Sequence, residues 1–395
     1  YLLWGLLPAA AAMVLWALSR QEVTDDRELP LSLLNFGLVI VLGLHFWNLG
    51  QSLPGIFYDE AVNISEALDI FGQSGSQVWS DNLSGRPTLF LYLLGFVHRL
   101  FGDAWLVARA AVVIVNAITV LAMVWALHPI LGPRASRIAA IIYGASAYHL
   151  LFARFIYEAS ISSLPLLIAV GAALRSTRDA RRRWWIVLGL AIGVGLWTYA
   201  AFRLVPLVIF AALAGWALKH RSEWKRIGVG IAVAAAIALA IASPLIRVAV
   251  DEPEDFMQRA RETTIVQEFA ESGVLRPFVH NLTAYGQMFF ANQGSSNKIF
   301  HFPALGTPAA VLLWVGMGLA VGMAIRGRTA VVGLAVLWWI AGLVPGVITL
   351  SVEAPPWSRT LYALPAVAVI VTLGLEGVVG LAPKRWRSIA TAGAL

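Results

Sequence analysis

The chain has 395 residues, 59% of them hydrophobic and only 13% charged, and it contains no cysteine. Disulfides and thiolate metal sites are excluded, and apolar runs of about twenty residues, repeated along the whole length, exclude a soluble domain. The net charge of +7 lies mostly in short loops, where it sets orientation in a membrane and not nucleic-acid affinity.

In chain order, residues 2–18 form a first apolar span and 20–28 a mixed-charge loop. The second span covers 31–49, and a long polar stretch, 51–86, follows it. Within that stretch 61–70 has helical spacing (Ile64, Ala67, Leu68, Phe71) and reads as a short helix at the interface, whereas 72–85 is rich in Gly, Ser, Asn and Asp and reads as loop. Residues 87–101 are apolar but short for a bilayer crossing. Further spans are expected at 104–127, 135–152, 159–174, 184–201, 204–218, 227–246, 308–325, 330–350 and 361–381.

Charge bookkeeping fixes the topology. The basic loops 133–137, 175–183, 219–226, 326–328 and 384–387 share one side only if 87–101 does not cross. By the positive-inside rule that side is cytoplasmic, and 87–101 is a juxtamembrane or half-inserted helix. The expectation is an all-α polytopic membrane protein of about eleven to twelve transmembrane helices, with juxtamembrane helices in the first long outer loop. Residues 1–30 would be an extra N-terminal helix and loop, and 31–395 the main membrane domain with outer loops 51–103 and 247–307. The chain begins at Tyr1 and ends within an apolar run, so the sequence is expected to be part of a longer protein.

The adjacent acids Asp59 and Glu60 stand just past the second span. A carboxylate at a membrane boundary is partly desolvated, which tunes it as a base or a cation partner; Asp and Glu also suit the first turn of any helix. The same outer face collects Arg154, Arg203 and Arg359, each at a span end beside aromatic residues. Outward arginines run against the positive-inside trend; they either snorkel to headgroups or clamp a lipid-linked phosphate through bidentate hydrogen bonds. Glu158 lies four residues after Arg154, where a continuous helix would pair them. Tyr58, Arg86, Tyr199 and His301 complete the candidates for donor or acceptor contacts, together with Glu158. No His/Asp/Glu spacing forms a recognisable metal set.

These residues resemble a known family. Tyr58-Asp59-Glu60-Ala61 is similar to the Asp-Glu motif of the dolichyl-phosphate-mannose protein mannosyltransferases, which are GT-C glycosyltransferases. Residues 85–92 are similar to the family's His-Pro-Pro-Leu-Tyr-Tyr stretch, with Arg86 in place of His and Thr88 in place of the second Pro. Phe101-Gly102-Asp103 with Ala108-Arg109, Tyr148 through Arg154, Thr198 through Arg203, Asn281 through Phe290 and Trp357-Ser358-Arg359 also resemble blocks of bacterial members, and a likeness to lipid A aminoarabinose transferases accompanies them.

The resemblance implies a GT-C-like bundle that moves a sugar from a polyprenyl-phosphate donor to a lipid, glycan or protein acceptor on the outer face of a bacterial plasma membrane. Asp59 would be the catalytic base, Glu60 its support or an acceptor contact, and Arg154, Arg203 and Arg359 the donor-phosphate ligands. No cofactor is expected, with a divalent metal left open. Expected partners are the lipid-linked sugar, membrane lipids and further membrane subunits, not nucleic acid. Two other readings stand beside this one: a non-catalytic GT-C-like subunit of a larger complex, and a polytopic transporter.

Overall fold

The protein is described here by a computed structural model covering residues 30–51, 55–72, 77–179, 181–269, 273–291, 303–325 and 330–381. The expected span 2–18, the loop 20–28, His301 and the basic loops 326–328 and 384–387 lie outside the described residues.

Inside a bilayer every backbone polar group must be satisfied within its own segment, so apolar runs become helices. Helix α1 is Leu31–Phe46, and the amphipathic α2 is Tyr58–Asp69. A two-residue hairpin follows: β1, Trp79–Ser80, pairs antiparallel with β2, Arg86–Pro87, around a 3-10 turn at Asn82–Ser84. The hairpin falls in the stretch expected to be loop. It is too short to announce itself by alternation, and Arg86 side-chain contacts hold it in place. Then come α3 (Leu89–Phe101), α4 (Trp105–Ala145), α5 (Ala147–Phe152), α6 (Glu158–Ile161), α7 (Ser163–Arg178) and α8 (Arg183–Leu196). Beyond them are α9 (Leu204–Lys219), α10 (Trp224–Asp251), α11 (Pro253–Thr263), α12 (Leu275–Gln287), α13 (Thr307–Ile325), α14 (Ala330–Val347) and α15 (Leu364–Leu381).

Among the described residues, five helical segments are long and apolar enough to cross a membrane, and five shorter apolar helices accompany them. The 41 residues of α4 are not one rod. Gly132 sits at φ 75°, and a Cβ on Gly144 would run into the Val120 side chain. In a straight helix those two residues would stand roughly 36 Å apart. The chain therefore doubles back at Gly132, where only glycine enters positive φ freely, and gives two antiparallel arms for the two spans expected there. The tightest crossing joins α13 to α15, where Gly316 and Gly374 let the backbones meet with no room for a Cβ on either.

The charge bookkeeping is visible in the contacts. Arg226 donates to the Ser176 carbonyl (2.7 Å), Arg175 to that of Trp125 (2.6 Å), and Arg137 to Asn35 near the start of α1 (2.7 Å). These basic loops gather at the end of the bundle away from Asp59, which follows the other end of α1. Helix α3 does not cross. Its entry carries Arg86, bonded to Glu66 of α2, and four residues after its exit begins α4, whose Arg109 reaches Glu60 of α2. Both of its ends therefore stay on the Asp59 side.

Candidate functional site

The first turn of α2 carries both acids, and its neighbours treat them differently. Glu60 is buried and saturated. Its Oε1 accepts from Arg109 Nε (3.2 Å) and from the Ile156 amide (3.1 Å). Its Oε2 accepts from an Arg109 terminal nitrogen (2.9 Å) and from the Phe57 amide (3.1 Å), which satisfies one orphan donor of the helix start. Arg109 spends a further bond on the Gly55 carbonyl (2.8 Å). Glu60 thus fixes the α1–α2 connection and the 153–157 turn onto α4. It supports Asp59 by position and has no acceptor position left to offer a substrate.

Asp59 is half-buried and carries its carboxylate into a second cluster. Burial pushes its carboxyl above the usual carboxylate range, and the Glu158 charge adds to this; Arg259 and Arg86 pull the other way, and Glu60 pushes up again. Three elements build this cluster. Arg86 on β2 is bonded to Glu66 and Asn63 of α2 and stands 3.7 Å from Glu158 Oε2. Asn63 in turn donates to the Ile156 carbonyl (2.9 Å). Glu158 opens α6 and is buried. Arg259 arrives from α11: it donates to the Tyr157 hydroxyl (3.0 Å) and the Leu83 carbonyl (3.2 Å), pairs with Glu158 (3.5 Å), and lies over the Tyr199 ring at 5.4 Å. Burial opposes its charge, but Tyr157, Tyr199 and Glu158 more than offset that and hold the guanidinium charged. Even so, the cluster is under-saturated: among the described residues Glu158 Oε2 and Arg86 Nε have no hydrogen-bond partner.

Arg203 sits at the cluster's edge, stacked over Phe256 of α11 at 4.0 Å and within electrostatic reach of Arg259. Among the described residues no carboxylate bonds to it. It is half-buried, so its charge is both desolvated and open to an anion.

Three expected placements change. Arg154 donates to the carbonyls of Leu44, His45 (3.4 Å) and Trp47 (3.2 Å); it closes the C-terminal end of α1, where carbonyls lack partners, and is not among the charged groups facing Asp59. The Arg154–Glu158 pair does not form, because the chain leaves the helix between α5 and α6; Glu158 faces Arg86 and Arg259 instead. Arg359 is neutralised by Glu353 (2.8 Å) and donates to the Thr263 carbonyl at the end of α11 (3.1 Å), so it is a tie between segments on the Asp59 side. Tyr58 is 70% exposed, beside the cluster and not in it. Arg86, Glu158 and Tyr199 do converge on the Asp59 neighbourhood. The sequence reading gave no site role to Arg259 or Tyr157. Arg259 shares its polar helix with Arg261, Glu254 and Asp255, and nothing local distinguishes it. The described residues bring together no three His, Asp or Glu side chains placed to hold a metal ion.

The chain has the fold of the GT-C polytopic membrane proteins. Residues 85–247 match the family model for dolichyl-phosphate-mannose-protein mannosyltransferase, a stretch that includes Arg86, Glu158 and Arg203 but neither Asp59 nor Arg259. The structure is similar to ArnT from Cupriavidus metallidurans bound to undecaprenyl phosphate, with a TM-score of 0.59 and 17% identity over 89% of this chain and 61% of that one. It is also similar to the Archaeoglobus fulgidus oligosaccharyltransferase in complex with zinc and sulfate (TM-score 0.58, 17% identity, 91% of this chain and 50% of that one). A third similar structure is AglB from the same organism with an inhibitory peptide and a dolichol-phosphate (0.58, 14% identity, 91% and 56%). The chain thus spans between half and about three-fifths of the length of these proteins. No curated protein matches it in sequence.

Proposed function

We propose that the protein is a membrane glycosyltransferase that moves a sugar from a polyprenyl-phosphate donor to an acceptor hydroxyl or amide at the outer face of the membrane. The observation that carries this reading is the contrast within the Asp59 cluster. Asp59 is a half-exposed carboxylate with raised basicity, and Arg203 is a half-buried guanidinium that no carboxylate bonds among the described residues. One suits a proton acceptor, the other a phosphate. The similar ArnT and AglB structures hold undecaprenyl phosphate and dolichol-phosphate respectively, which supports the donor class.

The chemistry follows from the charges. Asp59 takes the acceptor proton as the acceptor atom attacks the anomeric carbon. The bond from that carbon to the phosphate oxygen breaks, and the electron pair leaves with the phosphate. The departing lipid monophosphate carries more negative charge than the diester did, and Arg203, backed by the positive field of Arg259, stabilises what develops. Attack opposite the leaving group inverts the anomeric centre. Glu158 raises the basicity of Asp59 through its charge, and Arg86 and Arg259 hold Glu158 in place by pairing with it.

The test is a deletion strain complemented with the natural chain or with Asp59→Asn, read by mass spectrometry of glycans and lipid-linked sugars. The expected outcome is loss of one glycosylated product and build-up of its polyprenyl-phosphate sugar with Asp59→Asn, by about a hundredfold or more in rate, while the protein still inserts and accumulates. Unchanged glycans in the deletion strain would overturn the enzyme reading in favour of a non-catalytic subunit, and counterflow of labelled substrate would favour a transporter.

A further inference from the structure

The exposed surface of α12 is divided in a way that a helix surrounded by water has no reason to be. At about 100° per residue, Leu275, Phe278, Val279 and Leu282 fall within roughly 100° of arc, and Arg276, His280, Thr283 and Gln287 share the next roughly 60°. Both sectors are exposed; the apolar four are 74%, 42%, 48% and 54% exposed. The remaining sector, Pro277, Asn281, Ala284 and Tyr285, is buried.

That buried sector fixes where the helix lies. Asn281 donates to the carbonyls of Val347 (2.9 Å) and Thr349 (2.6 Å), at the Asp59-side end of α14, and the Tyr285 ring packs on Gly346. The helix is therefore pinned at the level where a membrane span ends. Helix α14 has its own exposed apolar stripe, Leu337, Ile340 and Val344, which Ile348 just past its end carries to that same level. The exposed apolar residues of the span and those of α12 thus lie at one end of the bundle.

We propose that α12 lies in the membrane interface on the Asp59 side, with Leu275, Phe278, Val279 and Leu282 in the acyl chains and Arg276, His280, Thr283 and Gln287 among headgroups and water. Its partner is a phospholipid surface. A helix split into one apolar and one basic-polar exposed sector fits such a boundary, whereas a wholly solvated helix would carry polar residues on both. The placement has a consequence for the site. The clamp extends to the end of α11: the Leu350 amide donates to the Thr263 carbonyl (3.1 Å), the Ile265 amide to the Ile348 carbonyl (2.9 Å), and the Ser351 amide to Glu268 (2.7 Å). Thr263 lies four residues after Arg259, so the bilayer sets the height at which Arg259 meets Glu158. The inference rests on the membrane reading of the fold and not on the transfer reaction.

The chain has no cysteine, which makes single-site labelling clean. Val279→Cys and Thr283→Cys, one in each exposed sector, are labelled with a nitroxide in the full chain, reconstituted into nanodiscs of phosphatidylcholine and phosphatidylglycerol. Collisional access to oxygen, which concentrates in acyl chains, is compared with access to a water-soluble nickel chelate. The expected result is oxygen access at 279 and chelate access at 283, the ratio of the two differing by about fivefold or more between the sites. Equal chelate access at both sites would overturn the proposal, as would protection of 279 from both reagents, which would put a protein surface there. Thermal unfolding of each labelled variant in detergent verifies that the fold is kept. These readouts are independent of catalysis, so an inactive Asp59→Asn leaves them unchanged.

Discussion

Two charge clusters meet at the start of α2, one residue apart in sequence and opposite in state. Around Glu60 both carboxylate oxygens accept two bonds each, and Arg109 donates two bonds to Glu60 and one to the Gly55 carbonyl. Around Asp59, Glu158 faces Arg259 and Arg86 at 3.5 and 3.7 Å, and among the described residues its Oε2 lacks a donor and no carboxylate bonds to Arg203, which stacks on Phe256. A saturated buried pair resists change, since any exchange of partner leaves a charge stranded. An under-saturated cluster can accept a substrate without first breaking its own bonds. The locked cluster and the candidate site differ in how fully their hydrogen bonds are used, not in residue type.

The contrast can be broken from the saturated side first. Arg109→Leu strands Glu60 in the interior and is expected to cost about 3–5 kcal/mol, read as a lower thermal midpoint and poor recovery of folded protein. Arg109→Leu combined with Glu60→Leu should regain much of that loss, because no buried charge remains. A stable Arg109→Leu single variant would remove the distinction between the clusters.

On the open side, Arg203→Gln removes a charge-assisted contact worth about 1.5–3 kcal/mol. It should weaken binding of undecaprenyl phosphate by about tenfold to a hundredfold, measured by native mass spectrometry, with little change in thermal midpoint. Arg359→Gln, by contrast, should alter the midpoint more than lipid-phosphate binding, since its guanidinium is already held by Glu353 and Thr263.

A pH profile sharpens the comparison further. As a base, Asp59 works only when ionised, so turnover falls as pH falls through its raised pKa. Glu158→Gln removes an anion that raises that pKa, and the acid limb of kcat/KM should move to lower pH. Arg259→Met removes a cation that lowers it, and the limb should move up. Shifts in the reverse direction would mean that another group carries the limb. The smallest effect is expected at Tyr58→Phe, whose side chain is largely in solvent; turnover should stay within about twofold.

Much of the fold was legible in the residues. Apolar run length located most of the helices, and the one-sided basic loops required that residues 87–101 stay on one side of the membrane, as α3 does. The basic loop 133–137 marked the reversal inside α4, where Gly132 turns the chain. The site was legible in part. Asp59, Arg86, Glu158 and Tyr199 could be picked out because polar groups stand out at the ends of apolar spans. Arg154 and Arg359 stood out for the same reason, yet their donors are spent on backbone carbonyls and on Glu353, and a sequence does not show how a donor is spent.

The sequence by itself determined the membrane class, the apolar helices of the described residues and the acid pair, because these follow from local hydrophobicity and charge, which the bilayer reads residue by residue. Only the tertiary structure decided which acid is locked and which is open, that Glu158 turns from Arg154 to Arg86 and Arg259, and that Arg259 enters the site at all. Those outcomes depend on guanidinium and carboxylate groups dozens to hundreds of residues apart being brought within a few ångströms, and no local pattern encodes that meeting.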